Sequence, residues 1–531
     1  MNHKHNLLES ILAYAKKQNI VLDIESFSFR LVSHPSYPNL LSVIETLEYF
    51  QIPHAVYNVA FDEIDQTPDS FLAFLKTKHR TQDLHLVERK NGQIFIDSQK
   101  VPLEYLKIRW KNIVLLFEPV EKSKLYSKVS RTKKNLFALL LLSALSFILL
   151  QANVIKSIFS LLSIVGFIVS ILSLKSLFQF TISNLDKFCK KTNQNNCDSV
   201  INSKKWKLFK YVNFSDISFL FFLSQIISYL LMNIASYEQD YFFIQKVVLL
   251  ASMLFVITSL LYQKFAEKKW CPLCLVISSV LILQMTLLFY SSNNSITISL
   301  EPLLLYAFIQ AILVFGWYIL KDILKQVHKL KTSTIESTRI IRNYTLFKNT
   351  LIEQPKYDFS IFTISSSAIT RSQLVITVIT NPFCDFCKKA HSSLQKIVQR
   401  YGDQIAYNTI LNVDILDEYD NDKLICQNMM AMQLQGDINE FNKALHTWFT
   451  NENESQWLAS YSINFDKQKV DKTFIQQKQW CIKNQIDFTP GLFINGYFYP
   501  KIYAIDHLDY FIQDLLSDTE IIKNSYELSA S

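Results

Sequence analysis

The chain has 531 residues, 49% of them hydrophobic and 14% aromatic, with seven glycines, eight cysteines and a formal net charge of +8. So few glycines leave little room for glycine-rich phosphate loops, and the apolar residues are gathered into residues 136–320, as they would not be in a wholly soluble chain. The excess positive charge lies as lysines around those apolar segments, which is membrane-surface charge and argues against a nucleic-acid partner.

Residues 1–120 read as a small α+β domain. Leu31-Val32-Ser33-His34-Pro35-Ser36-Tyr37-Pro38-Asn39-Leu40 leads into a helix with apolar periodicity. Further on, Leu84-His85-Leu86-Val87 and Gln93-Ile94-Phe95-Ile96-Asp97 alternate on either side of Asn91-Gly92, the signature of a tight hairpin. This helix-then-hairpin order, closing at Trp110-Lys111-Asn112-Ile113-Val114-Leu115-Leu116, resembles the papain-like leader-peptidase domain of bacteriocin ABC exporters. A papain-like peptidase needs a nucleophilic cysteine, and none occurs before Cys189. The resemblance therefore implies a degenerate domain that binds peptides or contacts a partner such as a peptide export system. His85 and Asp97 fall near the family's histidine and aspartate and are read as hairpin residues.

Six runs meet the length of a membrane-spanning helix: 136–154, 157–178, 216–234, 242–262, 272–290 and 297–320. The first is read as a membrane segment rather than a signal peptide, because more than a hundred residues precede it. An even number of spans places the polar stretches before residue 134 and after residue 331 on one side. Three domains are expected: 1–120, a membrane core over 134–322, and 355–525.

Six of the cysteines form three pairs: Cys189 with Cys197, Cys271 with Cys274, and Cys384 with Cys387. The last two have the CxxC spacing, in which one thiol supports its neighbour as thiolate and then closes a disulfide. Structural zinc is the competing use and needs four converging ligands. Trp270-Cys271-Pro272-Leu273-Cys274 opens onto an apolar run, whereas Cys384-Asp385-Phe386-Cys387 follows a β-type stretch, Leu374 to Ile379, so no metal is expected. Cys426 and Cys481 have no close sequence partner; they are read as buried by default, and a bond between them stays open.

Residues 157–320 resemble the vitamin K epoxide reductase family. The likeness rests on Cys189 and Cys197 in the loop after the second span, on Cys197-Asp198-Ser199-Val200-Ile201-Asn202-Ser203 running into Lys204-Lys205-Trp206, and on the CxxC two spans later. It implies that Cys274 contacts a membrane quinone of menaquinone or ubiquinone type, that Cys271 exchanges with the loop pair, and that Cys189 and Cys197 shuttle electrons. Ser203 takes the place of the family's loop serine at the quinone, or merely caps a short helix. The family's tyrosine after the CxxC is absent, since Ser278 and Ser279 stand there.

The carboxy-terminal domain resembles thioredoxin-like disulfide oxidoreductases with a helical insertion. Asn381-Pro382-Phe383-Cys384-Asp385-Phe386-Cys387 would place Cys384 at a helix N-terminus, where the dipole lowers the thiol pKa. About a hundred residues later, Phe488-Thr489-Pro490-Gly491-Leu492-Phe493-Ile494-Asn495-Gly496 supplies a Thr-Pro before a strand and an Asn-Gly turn. The resemblance implies that Pro490 is cis, lies against the CxxC and shapes the substrate groove with Thr489. His391 shares the helical face of Cys387; it could tune a thiol but reads better as a partly exposed surface histidine.

The expected fold is thus an α-helical transmembrane bundle, an α/β thioredoxin-like domain and a small α+β domain. The expected function is quinone-linked oxidation of secreted or periplasmic protein thiols at a bacterial inner membrane, supporting disulfide formation. The alternative is a membrane-anchored peptide-binding accessory of export. Lysines cluster on the cysteine side, which under the positive-inside rule points to the cytoplasm. The family resemblance points to the periplasm, where disulfides persist, and is followed here.

Overall fold

The computed structural model describes residues 4–76, 82–118, 154–178, 213–267, 270–290, 299–359, 362, 374–416, 420–436 and 438–526. Cys189, Cys197, Ser203 and the expected first span, 136–154, lie outside the described residues. The chain forms two compact units, one of Met1–Leu31 with Val43–Thr334 and one of Val32–Ser42 with Ile335–Ser531.

In the amino-terminal region, the helices Lys4–Lys17, Ile24–Val32 and Leu40–Tyr49 precede a six-stranded antiparallel sheet. Its strands are β1 (His54–Asn58), β2 (Ser70–Lys76), β3 (Gln82–Lys90), β4 (Gln93–Ile96), β5 (Gln99–Val101) and β6 (Trp110–Phe117), in spatial order β1-β6-β2-β3-β4-β5. The β3–β4 hairpin turns at Asn91-Gly92, both at positive φ (50° and 72°), as the sequence predicts for a two-residue loop that follows strand twist. Phe71, Leu75, Val87, Leu106 and Val114 are buried together against this sheet.

Among the described residues, five helices are long and apolar enough to cross a membrane: Val154–Phe178, Phe214–Ile234, Glu238–Leu261 with its continuation to Phe265, Pro272–Tyr290 and Leu300–Ile341. They match the last five predicted spans. Their outward faces expose Ile158, Leu161, Val165, Leu250, Leu254, Ile282, Leu283, Phe308 and Phe315, side chains that belong in lipid rather than water. Phe159, Phe222, Tyr241, Leu249, Ile277 and Leu288 fill the interior.

A polar layer crosses that interior. Gln284 Nε2 donates to Ser163 Oγ at 2.9 Å and to Gln225 Oε1 at 3.1 Å, while Ser163 Oγ donates to Gln225 Oε1 at 2.9 Å. Hydrogen bonds between spans fix helix register where burial of apolar surface drives nothing. At the end of the bundle where Phe214–Ile234 begins, buried Asp216 accepts from Trp317 Nε1 at 3.2 Å and pairs with Lys321, tying in the helix Leu300–Ile341.

The second unit holds a four-stranded sheet of β7 (Leu374–Thr380), β8 (Ile405–Leu411), β9 (Gly491–Ile494) and β10 (Tyr497–Phe498), in order β10-β9-β7-β8. β7 and β8 are parallel and joined through the helix Asp385–Tyr401, as a parallel pair requires. Four helices, Asp420–Leu434, Ile438–Asn451, Glu454–Tyr461 and Lys467–Lys483, are inserted between β8 and β9. β9 and β10 turn at Asn495-Gly496, again both at positive φ. The Asn495 side chain accepts from Val375 N–H at 2.7 Å, which pins the hairpin to β7.

Gly166 marks a close approach within the bundle. A Cβ there would stand 2.2 Å from the ring of Phe222, which is fully buried. Gly166→Ala is expected to destabilise the bundle by about 1–3 kcal/mol through overpacking. Thermal unfolding in detergent checks it, with Phe222→Leu in the double mutant recovering part of the loss.

Candidate functional site: two dithiols at helix starts

The register of the second sheet assembles one site. Ile379 of β7 pairs with Gly491 of β9, and the two strands run antiparallel. Residues just after the end of β7 therefore meet residues just before the start of β9. The first set is Asn381 to Cys384 and the second is Thr489-Pro490. The peptide between Thr489 and Pro490 is cis, and Cys384 Sγ lies 3.6 Å from the Thr489 carbonyl oxygen. The structure thus brings together Cys384, Cys387, Thr489 and Pro490 as the sequence predicts.

Cys384 is the N-cap of the helix Asp385–Tyr401, its carbonyl accepting from Cys387 N–H at 3.0 Å and Lys388 N–H at 3.2 Å. Burial pushes its thiol pKa up. Hydrogen bonds from the Thr489 side chain, the Cys387 amide and thiol and the Phe386 amide outweigh that and hold Cys384 below the ordinary cysteine value. Cys387 goes the other way, pushed up by burial despite bonds from Thr380, Asn381 and Thr489. A half-buried, ionisable first sulfur and a buried, protonated second one divide the roles into attacking and resolving thiol.

The insertion helices close over this dithiol. Trp448 Nε1 donates to the Pro382 carbonyl at 2.9 Å, and Cys387 packs into one cluster with Met429, Met430, Phe449 and Trp457. Phe383 and Phe386 remain outside, Phe386 at 70% exposed. His391 corrects the sequence reading: only 8% is exposed, against Phe449 and His446, because the insertion covers the helix face it shares with Cys387. Burial first, and then the neighbouring His446, push its pKa down to about 4, so it is neutral at pH 7. Cys426 lies in the cluster of Cys387 and Cys481 in a different one with Ile379 and Phe493, so the bond left open by the sequence is not made.

The second dithiol repeats the helix-start geometry. Cys271 stands before Pro272, the first residue of the helix Pro272–Tyr290, and its carbonyl accepts from Leu275 N–H at 3.0 Å. Its Sγ accepts from Cys274 N–H at 3.4 Å. Both cysteines are buried in one apolar cluster with Leu273, Val169 and Leu172. Ser278 and Ser279 lie on the same helix as Cys274, with Ser279 Oγ bonded to the Leu275 carbonyl at 2.9 Å. Sequence reasoning missed Gln263 and the glutamines of the polar layer. Lone amides inside apolar runs were the available signal.

The thiol chemistry carries a pH signature. In reduced protein, alkylation of Cys384 is expected to rise with a midpoint below the ordinary cysteine value of 9.0, while that of Cys387 lies above it. Thr489→Val removes a bond to the thiolate and should move the Cys384 profile upward. Mass mapping of alkylated peptides across pH measures both midpoints.

The profile of the family described as "Vitamin K epoxide reductase family" matches residues 157–289. A search of curated proteins found no match. Among solved structures, a periplasmic thioredoxin-like protein from Salmonella enterica serovar Typhimurium matches at 16% identity, covering 33% of this chain and 97% of that one, with a TM-score of 0.24. Proteus mirabilis ScsC in a compact conformation matches at 18% identity over 37% and 99% of the two chains, with a TM-score of 0.25. Reduced DsbA1 from Neisseria meningitidis matches at 16% identity over 33% and 93%, with a TM-score of 0.23. No comparison identifies residues 1–120 as papain-like. Residues 157–289 of this multi-pass chain, with the Cys271–Cys274 pair at the head of their last helix, are a vitamin K epoxide reductase family domain.

Proposed function

We propose that the protein is a quinone-linked thiol–disulfide oxidoreductase of a bacterial inner membrane, which oxidises polypeptide thiols at Cys384–Cys387 and delivers the electrons to a menaquinone- or ubiquinone-type acceptor. One observation carries this reading: a single chain holds two CxxC pairs, each with its first cysteine at the start of a helix, one in a membrane domain and one against a cis-proline.

The reaction begins with Cys384–Cys387 as a disulfide. A substrate thiolate attacks Cys384 Sγ, the bond between the two cysteines breaks, and Cys387 leaves as thiolate. A second substrate thiol attacks the mixed disulfide, so the substrate leaves oxidised and the pair remains as a dithiol holding two electrons and two protons. The same exchange passes them to Cys189–Cys197 and then to Cys271–Cys274. The quinone, as terminal substrate, takes two electrons and two protons at Cys274 and becomes the quinol, with Ser203 as a hydrogen-bond partner. Dithiols at about −120 to −270 mV lie below respiratory quinones, and every 30 mV is worth about 1.4 kcal/mol for this couple, so net flow is toward oxidised substrate.

Exposed Phe383 and Phe386 beside Cys384 suit unfolded secreted or periplasmic chains, whose apolar side chains are still uncovered. The thiol sites are assigned to the periplasmic side because disulfides persist there, redox chemistry being set above the lysine count. A second reading, peptide holding by residues 1–120, is favoured by the arrangement at Asp97. This carboxylate lies 2.6 Å from His85 Nδ1 and accepts from Ser10 Oγ at 3.1 Å, an acid–histidine pair with no cysteine in its domain.

Cys384→Ala is expected to abolish oxidation of protein thiols while a small dithiol still drives quinone reduction; Cys274→Ala should abolish quinone reduction with every donor. Quinol formation in proteoliposomes separates the two outcomes, and equal loss of both activities in Cys384→Ala would refute the modular relay. Cys387→Ala should trap a mixed disulfide from Cys384 to Cys189 or Cys197, because Cys384 has lost its own resolving partner. Nonreducing peptide mapping identifies the partner, and a Cys384–Cys271 bond with the loop cysteines intact would show that electrons bypass the loop.

A further inference from the structure

The start of the helix Pro272–Tyr290 is a capping arrangement completed from outside the helix. At an ordinary N-terminus with reciprocal capping, the N-cap side chain accepts from the backbone N–H three residues on. The side chain at that third position, Glu or Gln, then reaches back to the N-cap N–H. Here Cys271 is the N-cap, Pro272 needs no N–H partner, and Cys271 Sγ accepts from Cys274 N–H at 3.4 Å. The CxxC spacing puts a cysteine at the third position, whose side chain is shorter than Glu or Gln and a weak acceptor, and the Cys271 N–H goes elsewhere. The Cys271 N–H is nevertheless fully buried and would cost free energy if left without an acceptor.

The missing half comes from Gln263. Its Oε1 accepts from Cys271 N–H at 2.9 Å, and its Nε2 donates to Ser259 Oγ at 3.2 Å. Gln263 is 1% exposed and sits in the π-helical turn Tyr262–Glu267, which extends the preceding membrane helix. Such widened turns recur at functional sites because they re-aim a side chain.

We propose that Gln263 is a positioning residue for the Cys271–Cys274 couple: it holds the Cys271 peptide so that Sγ stays aimed at the Cys274 amide in the dithiol state. Oxidation joins the two sulfurs with loss of two electrons and two protons to the exchange partner, and the sulfur cap is then weakened. The Gln263 bond does not involve sulfur and persists in both states. Without it, Cys271 leaves the cap, the dithiol form loses more than the disulfide, and the couple becomes more reducing. The inference rests on Cys271–Cys274 being redox-active, and it concerns that couple alone rather than where its electrons go.

The test is redox titration of the full-length protein in dithiothreitol buffers, followed by acid trapping and mass mapping of the Cys271–Cys274 peptide. Gln263→Met keeps the shape without the acceptor, Gln263→Glu keeps the acceptor, and Gln284→Met loosens the bundle away from the site. Gln263→Met should favour the disulfide about five- to tenfold in the exchange equilibrium, the worth of one buried hydrogen bond, with Gln263→Glu and Gln284→Met within about twofold of the parent. If the methionine variant does not insert, Gln263→Asn, polar but one methylene short, takes its place. An unchanged equilibrium in the variant lacking the acceptor, or an equal shift in Gln284→Met, overturns the proposal. Because no quinone is present, this outcome is independent of the electron acceptor assigned above.

Discussion

A cysteine placed as the first cap of a helix is the constraint from which both dithiol sites follow. The amides at a helix start have no partner within the helix, and the dipole there favours negative charge. Cys384 and Cys271 each exploit that position, but their surroundings differ. Cys384 is partly open to water and is supported by Thr489, whereas Cys271 is sealed among apolar side chains and depends on an amide from the neighbouring helix. One sulfur can be reached from water and the other is shut away from it.

The rest of the molecule keeps those helix starts in place. In the second unit, pairing of Ile379 with Gly491 delivers the cis-proline to the end of β7, and the inserted helices bury Cys387. In the membrane core, apolar side chains alone would allow helices to slide past one another in lipid. The glutamine and serine layer gives them a register, and the absence of a side chain at Gly166 lets two of them close to contact.

Local signals were legible in the sequence wherever chemistry and backbone geometry coincide in a few residues. The CxxC pairs, the Thr489-Pro490 motif and the turns at Asn91-Gly92 and Asn495-Gly496 state their own conformation, and the apolar runs state their length. Burial of His391 was not legible because it depends on which face the inserted helices cover, a long-range packing outcome. The role of Gln263 was hidden for a related reason: a π turn changes the direction of a side chain without altering the apolar pattern that announces the helix.

The helix Leu300–Ile341 has 42 residues and is therefore about 63 Å long, roughly twice the thickness of a bilayer's hydrocarbon core. It is tied to the bundle by Tyr306 with Gln245, by Gln310 with Ser228 and, further along, by the buried group of Asp216, Trp317 and Lys321. The stretch from Lys321 to Ile341 then measures about 30 Å, as long again as the part a hydrocarbon core can hold. From Lys321 onward the helix turns polar, with Asp322, Lys325, His328, Lys329 and Lys331, so the buried ion pair marks where its lipid-facing part ends.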